Sequence, residues 1–276
     1  MNTITSVIKR HPIVTFFVLA YTFSWLPWVL GTLMPASRPF VLYPFFSSGP
    51  LLAALIVIPI TQGRAGLRAW AASLLKWRVG WHWYALAIGI PLLVGLGAAM
   101  LNAGFGAPFQ LAQLSLWSML PVFAIRLINP GDGPLGEEPG WRGYALPGLQ
   151  AKRSPLAAAL IVGLLAVVWH LPIIFVGAAS PFELLAPFSL GIVSSWVYNR
   201  TGGSLLLSLI FHAADGLILI EGLGFVGADA ERMVWLYSGL WCAMAIGVVI
   251  LDWTTWQARR PMAPRDVLPA EALLKP

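Results

Sequence analysis

The chain has 276 residues, of which 58% are hydrophobic and only 10% charged, and its mean hydropathy is +0.78. A soluble domain lies nearer half apolar and a quarter charged, so composition excludes an ordinary soluble domain and points to an all-α polytopic membrane protein. The formal net charge of +6 does not indicate a nucleic-acid partner, because the basic residues fall in short loops between apolar runs and no basic, aromatic-lined surface is evident.

A membrane-crossing helix needs about 20 mostly apolar residues, and taken in order the chain offers eight such spans. The first runs from about His11 to Met34, too long and without the small-residue cleavage site of a signal peptide. The second runs from about Tyr43 to Thr61. A basic stretch with Arg64, Arg68, Lys76 and Arg78 then reads as an amphipathic surface helix. The third span is about His82 to Ala103 and the fourth about Leu114 to Ile128, with Arg126 inside it. The Pro/Gly cluster from Asn129 to Pro134 breaks the chain. The remaining spans are about Pro155 to Val176, Phe182 to Tyr198, Gly203 to Ile220 and Met233 to Trp253. Cys242 in the last of them is the single cysteine and reads as packed or lipid-facing. The Pro-rich polar tail is expected to be loose.

Charge sets the expected topology. With the N-terminus in the cytoplasm and the spans alternating, all of the 17 Lys and Arg residues except Arg38, Arg126 and Arg232 fall in cytoplasmic segments, the asymmetry of the positive-inside rule. The expectation is a multi-pass protein of the cell membrane with both termini cytoplasmic and the acidic stretch at the cytoplasmic side. Its expected divisions are 1–112, N-terminal helices and the basic surface helix; 113–258, a functional transmembrane core; and 259–276, a flexible cytoplasmic tail.

The densest charge sits in Gly136-Glu137-Glu138-Pro139-Gly140-Trp141-Arg142-Gly143. Pro139 suits only a first turn, so a helix is expected to start here, capped by Asp132 or a neighbour. Adjacent residues on a helix point about 100° apart, so Glu137 and Glu138 divide the labour. Glu138 and Arg142 stand at i and i+4, the favourable order for an ion pair, which leaves Glu137 for chemistry. His170 and His212 lie within apolar runs of their own. Ionisable residues inside a membrane face an internal cavity and pair with one another, so the three places are expected to form one site. Carboxylate and imidazole deprotonate water at neutral pH. Glu137, His170 and His212 are equally a ligand set for a divalent metal such as zinc, which would polarise that water. Both routes make water the nucleophile of a hydrolysis. No Gly-x-Ser-x-Gly elbow, phosphate-binding glycine loop or His-Glu-x-x-His motif is present.

These residues resemble the CAAX protease and bacteriocin-processing (CPBP, or Abi) family, which includes the type II CAAX prenyl endopeptidases. The resemblance runs from about Leu120 to Leu219. The family's Glu-Glu-x-x-x-Arg stands as Glu137-Glu138-Pro139-Gly140-Trp141-Arg142, followed by the typical Gly143-Tyr144-Ala145-Leu146-Pro147. Its Phe-x-x-x-His has His170, with Ala166 at the Phe position. Its His-x-x-x-Asn or Asp has His212, but the fourth residue on is Gly216, and Asp215 comes one place early. The resemblance implies that Glu137 and His170 activate water, with or without a metal. It implies that Glu138 and Arg142 brace the motif and that His212 stabilises the oxyanion. Asp215 could replace the missing Asn only in a distorted helix or as a protonated carboxyl. The implied substrate is a hydrophobic or lipidated (prenylated CAAX-type) peptide met near the cytoplasmic face, with membrane lipids as the other partner. A non-catalytic scaffold or bacteriocin-immunity protein on the same fold, and a proton- or metal-coupled transporter, are the other readings of the same buried groups.

Overall fold

A computed structural model describes residues 3–32, 43–109, 116–175, 177, 179–218 and 223–257; the tail expected from Arg259 onward lies outside them. Every regular element among the described residues is a helix. Helix α1 (Thr3–Arg10) leads into α2 (Pro12–Thr32). Helix α3 (Tyr43–Leu74) is two helices in line, divided at Gly63 with φ 68 and ψ −163. Without a Cβ that backbone is adopted at little cost, so the apolar segment stops there and the basic segment from Arg64 sets off on its own course. The division falls where the composition changes, as expected of a span followed by a surface helix.

Helices α4 (Trp81–Gly104) and α5 (Leu116–Ile128) precede the acidic stretch. That stretch forms α6 (Pro134–Gly140), a π-helical turn (Trp141–Ala145) and α7 (Leu146–Gln150) without a break. Helix α8 (Pro155–Trp169) starts at Ser154, whose hydroxyl accepts from the Ala157 amide, a regular N-cap. Helices α9 (Leu171–Phe175), α10 (Leu185–Arg200), α11 (Leu205–Asp215), α12 (Ala228–Leu251) and α13 (Trp253–Gln257) complete the described chain. The segments Phe46–Leu74, Trp81–Gly104, Pro155–Phe175 and Ala228–Leu251 are long and apolar enough to cross a membrane, and Pro12–Pro27, Met119–Ile128 and Leu205–Asp215 are shorter apolar helices. Large apolar side chains such as Val14, Leu93, Leu164 and Ile250 face outward. So much exposed apolar surface marks a membrane-facing exterior, and the fold is that of an all-α polytopic membrane protein.

Contacts between distant parts of the chain define two ends of the bundle. At one end Ser24 on α2 donates to the Phe46 carbonyl at the start of α3, and Trp25 donates to the Trp169 carbonyl at the end of α8. There too Asn102 near the end of α4 donates to the Asp229 carbonyl at the start of α12. At the other end Gln150 meets Asn199, Ser204 donates to the Lys76 carbonyl, Lys76 donates to the Gly202 carbonyl, and Trp196 donates to Asp252. This second end carries Lys9, Arg10, Arg64, Arg68, Lys76, Arg78, Lys152, Arg153 and Arg200.

Two expectations change. Helix α5, expected as the fourth crossing, stays at the first end: Met119 packs against the buried cluster that includes Ala98, Ala107 and Phe225, and Arg126 lies against Gly216. The helix from Pro134 to Gln150 runs between the ends instead. Gly136 abuts the carbonyls of Ser47 and Pro130 at one end, and Gly148 and Gln150 reach Ile13 and Asn199 at the other. Its prolines and the Glu137, Glu138 and Arg142 charges break its apolar run, so hydropathy passes over it. Consequently the acidic motif begins a crossing at the end opposite α1 and the last turn of α12, and it does not share their face as expected.

Candidate active site

Helix α6 is held hard against α3. A Cβ at Gly140 would stand 2.5 Å from the Pro50 carbonyl oxygen, and one at Gly136 would overlap backbone oxygens of Pro130 and Ser47. Small residues four apart let two membrane helices approach at backbone distance. The start of α6 departs from expectation. Its N-cap is Gly133 at φ 74, with no side-chain cap, and Pro134 takes the first position, where its missing N–H has no helical partner to lose. Asp132 pairs with Arg126 instead of capping, Nη1 to Oδ1 at 3.2 Å. Pro139 falls in the second turn rather than the first, and the π turn follows it. Proline cannot donate to the preceding turn and crowds its carbonyl, and single π turns gather at functional sites. The Pro139 carbonyl accepts from the Trp70 indole at 2.9 Å.

The two glutamates do different things. Glu138 is fully buried. Its Oε1 accepts from Arg142 Nη1 at 2.9 Å and from His212 Nδ1 at 2.9 Å, and its Oε2 accepts from the Ser194 hydroxyl at 3.3 Å. Arg142 also donates to the Gly191 carbonyl at 2.9 Å. Glu137 is buried as well, yet among the described residues none hydrogen-bonds its carboxylate. The i,i+4 pair expected of Glu138 and Arg142 is present, and Glu137 is left over.

His170 lies inside the candidate span Pro155–Phe175, as expected, at a break in its helix. It is the C-cap of α8, and α9 begins at the next residue. Pro172 removes the N–H that would continue the ladder. The His170 Nδ1 is 2.7 Å from the Ala166 carbonyl. A carbonyl only accepts, so the hydrogen is on Nδ1 and Nε2 is left with a free lone pair. His212 lies in the last turn of α11, which ends at Asp215 with Gly216 as its cap. Its Nδ1 is occupied by Glu138. Its Nε2 and the Oε1 of Glu137 lie 3.5 and 3.4 Å from the point where a Gly133 Cβ would be. The second carboxylate and the second imidazole therefore flank one small space.

Glu137, Arg142, His170, His212 and Asp215 line a single cavity of about 290 Å³, with Glu183, Tyr237 and apolar side chains such as Ile173, Leu190 and Val234. Glu138 braces it from behind. Asp215 accepts from the Tyr237 hydroxyl. Sequence reasoning passed over Ser194, Tyr237 and Gly133, for which an isolated polar residue or a Gly in a loop is too common a signal. It noted Arg126 inside an apolar run but gave it no part. The structure gives it a place: a Cβ at Gly216 would run into the Arg126 guanidinium. Its Nη1 faces Asp132, while its Nε is buried without a partner among the described residues. Gly216 stands four residues after His212, so the guanidinium lies on the His212 face of α11, one turn along. Among the described residues no three His, Cys, Asp or Glu side chains converge closely enough to hold a metal ion.

Residues 116–218 match the family model described as type II CAAX prenyl endopeptidase Rce1-like. The chain is similar to the type II CAAX prenyl endopeptidases. The matched stretch runs from α5 through α11 and contains the acidic motif, both histidines and Asp215. A curated relative, the CAAX prenyl protease 2 of Methanococcus maripaludis, is 33% identical over 139 residues, 46% of this chain and 48% of the relative. The chain thus matches about half the length of that curated relative. Helix α12 lies beyond the matched stretch, yet it supplies Val234, Tyr237 and Ser238 to the cavity.

Proposed function

We propose that the chain is an intramembrane endopeptidase that hydrolyses a peptide bond of a hydrophobic or lipidated peptide, with water activated by Glu137. The observation that carries this reading is the unequal use of the two glutamates. Glu138 is consumed by Arg142, His212 and Ser194, whereas the buried Glu137 carboxylate is unengaged by described residues and faces the cavity. A buried carboxylate without a partner is costly and is the group expected of a general base.

Glu137 takes a proton from water while the water oxygen bonds to the scissile carbonyl carbon. His170 accepts the second water hydrogen at Nε2 and so aims the attack. The carbonyl π electrons move to oxygen, where His212 donates from Nε2 as an imidazolium whose charge the Glu138 carboxylate offsets. Collapse of the tetrahedral species breaks the C–N bond, and the proton held by Glu137 passes to the leaving nitrogen. Water and one peptide bond give one carboxyl and one amine.

The test is cleavage in liposomes of a panel of prenylated and unprenylated peptides, comparing wild type with Glu137→Ala. Loss of a positioned general base lowers the rate by about 10²–10⁴-fold. Cleavage by wild type, lost in Glu137→Ala and retained after strong chelation, is the expected result. Undiminished cleavage by Glu137→Ala sinks the assignment, and loss on chelation replaces the carboxylate route with a metal-bound water.

A further inference from the structure

Resting on the protease reading, we propose that Asp215, Tyr237 and Ser238 form a subsite that holds the substrate's main chain beside the scissile bond, Ser238 donating to a peptide carbonyl and Asp215 accepting a peptide N–H. Tyr237 is the positioning residue, its hydroxyl donating to Asp215. All three line the cavity. A hydroxyl on a membrane helix ordinarily turns back on its own backbone, and Thr22, Thr61, Ser195 and Thr201 each donate to the carbonyl four residues earlier. Ser238 does not. It is 1% exposed, and its Oγ has no partner among the described residues. Ser208 is the other buried hydroxyl in that condition, but it does not line the cavity. An unpaired buried hydroxyl costs free energy, so the one that lines the cavity is the one a ligand satisfies.

The ligand this subsite fits is an extended stretch of peptide. Inside a membrane no water satisfies the N–H and C=O groups of a peptide, so a chain unwound for hydrolysis must find partners in the protein. Asp215 follows His212 by three residues on α11, a rise of about 4.5 Å, and an extended peptide advances about 3.3 Å per residue. With the scissile carbonyl at His212, Asp215 therefore meets the next peptide group along the chain. A carboxylate accepts at about four lone-pair positions and Tyr237 takes one, which leaves room for an incoming N–H. Ser238 follows Tyr237 on α12, whose buried face runs through Ser238, Trp241, Ala245 and Val248, and it presents the complementary donor. Ile173, Leu190 and Val234 in the same cavity receive apolar side chains. Main-chain recognition makes few demands on sequence, so the subsite selects an unwound backbone with apolar side chains rather than a particular residue. Helix α12 lies outside the stretch matched by the family model, so the matched motifs do not specify this wall.

Binding of a fluorescent peptide to the Glu137→Ala protein in detergent tests this without turnover, the probes being the prenylated and unprenylated peptides of the cleavage panel. Ser238→Ala and Tyr237→Phe, each added to that background, are expected to raise Kd about 3–10-fold, the loss of one hydrogen bond, whereas Ser208→Ala leaves it unchanged. An ester in place of one amide removes one N–H from the peptide. Moved along the peptide, it is expected to weaken binding at one position near the scissile bond, and that position is expected to lose its effect in Tyr237→Phe and in Asp215→Ala. A change in packing alone would weaken amide and ester peptides equally. Unchanged Kd in both Ser238→Ala and Tyr237→Phe, an equal loss in Ser208→Ala, or no position sensitive to the ester overturns the subsite, as does binding of no peptide at all. Should Asp215→Ala fail to insert, Tyr237→Phe carries the ester comparison alone. Peptides that bind in this pattern yet are never cleaved by wild type remove the protease reading and leave the subsite standing; cleavage by wild type with Kd unmoved in every variant removes only the subsite.

Discussion

At the scale of the residue, the site is built on one carboxylate held still so that another can work. The Glu138–Arg142 pair was legible in the sequence because it needs only i,i+4 spacing and an apolar context. The partners that complete it were not: Ser194 and the Gly191 carbonyl come from α10, about fifty positions away, and nothing local announces them. Arg126 is the sharper case. Its guanidinium occupies the space that a side chain at Gly216 would take, the position where the resembled motif carries Asn or Asp. A role as second donor beside His212 is testable, because its Nε is buried without a partner among the described residues. Removing one such donor lowers kcat by about 10²–10³-fold. Arg126→Ala is therefore expected to lower kcat at nearly constant KM, while Asp132→Asn, which leaves the guanidinium in place, changes it little. Gly216→Asn alone should be poorly tolerated because of the overlap, and Arg126→Ala/Gly216→Asn should recover part of the lost rate. Equal losses in Arg126→Ala and Asp132→Asn would reduce Arg126 to a structural ion pair.

At the scale of the element, the helix from Pro134 to Gln150 decides the geometry, and it was the least legible part of the fold. Three prolines, two glutamates and an arginine make it read as a broken surface turn. Its apolar surface is not continuous in sequence but is assembled by neighbours: Phe16 and Phe17 from α2 stand 5.7 and 5.8 Å from the Trp141 ring, and Trp169 from α8 stands 5.9 Å from it. Backbone contact with α3 then fixes its depth. Gly140→Leu is expected to force α6 off α3, because the obstacle is the backbone and Cβ of Pro50 rather than a movable side-chain tip. Overpacking of this kind costs about 1–3 kcal/mol or more, and it should lower the unfolding temperature in detergent together with cleavage. Unchanged stability would mean that α3 and α6 separate easily. By contrast, the change from an apolar span to a basic helix was anticipated from composition, and the backbone divides at Gly63 between them.

At the scale of the whole molecule, composition alone identified a polytopic helical membrane protein, and the loop charges placed both ends of the chain on one side. The same charges led to the expectation that the acidic motif shares the side of the termini, an expectation that turned on whether the motif ends one crossing or begins the next. Contacts also cross the expected division at residue 112. Trp25 donates to the Trp169 carbonyl, Trp70 donates to the Pro139 carbonyl, and α3 lies against the motif helix along Gly136 and Gly140. The N-terminal helices therefore wall the motif rather than stand apart from it. A chain beginning at residue 113 is expected to give no cooperative thermal transition and no cleavage. Co-expression of 1–112 as a separate piece should restore both in part, and a stable, active fragment on its own would contradict this packing.

The oxygen Oε1 of Glu138 is shared: one lone-pair region receives Arg142 of the motif helix, the other His212 of α11. A shared acceptor makes the two donors thermodynamically dependent on each other. Taking away either leaves the remaining one bound to a carboxylate whose charge is no longer divided, so the second loss is smaller or larger than it would have been alone, and the energies of the single changes do not sum. Substitutions at Glu138, Arg142 and His212 form one epistatic unit.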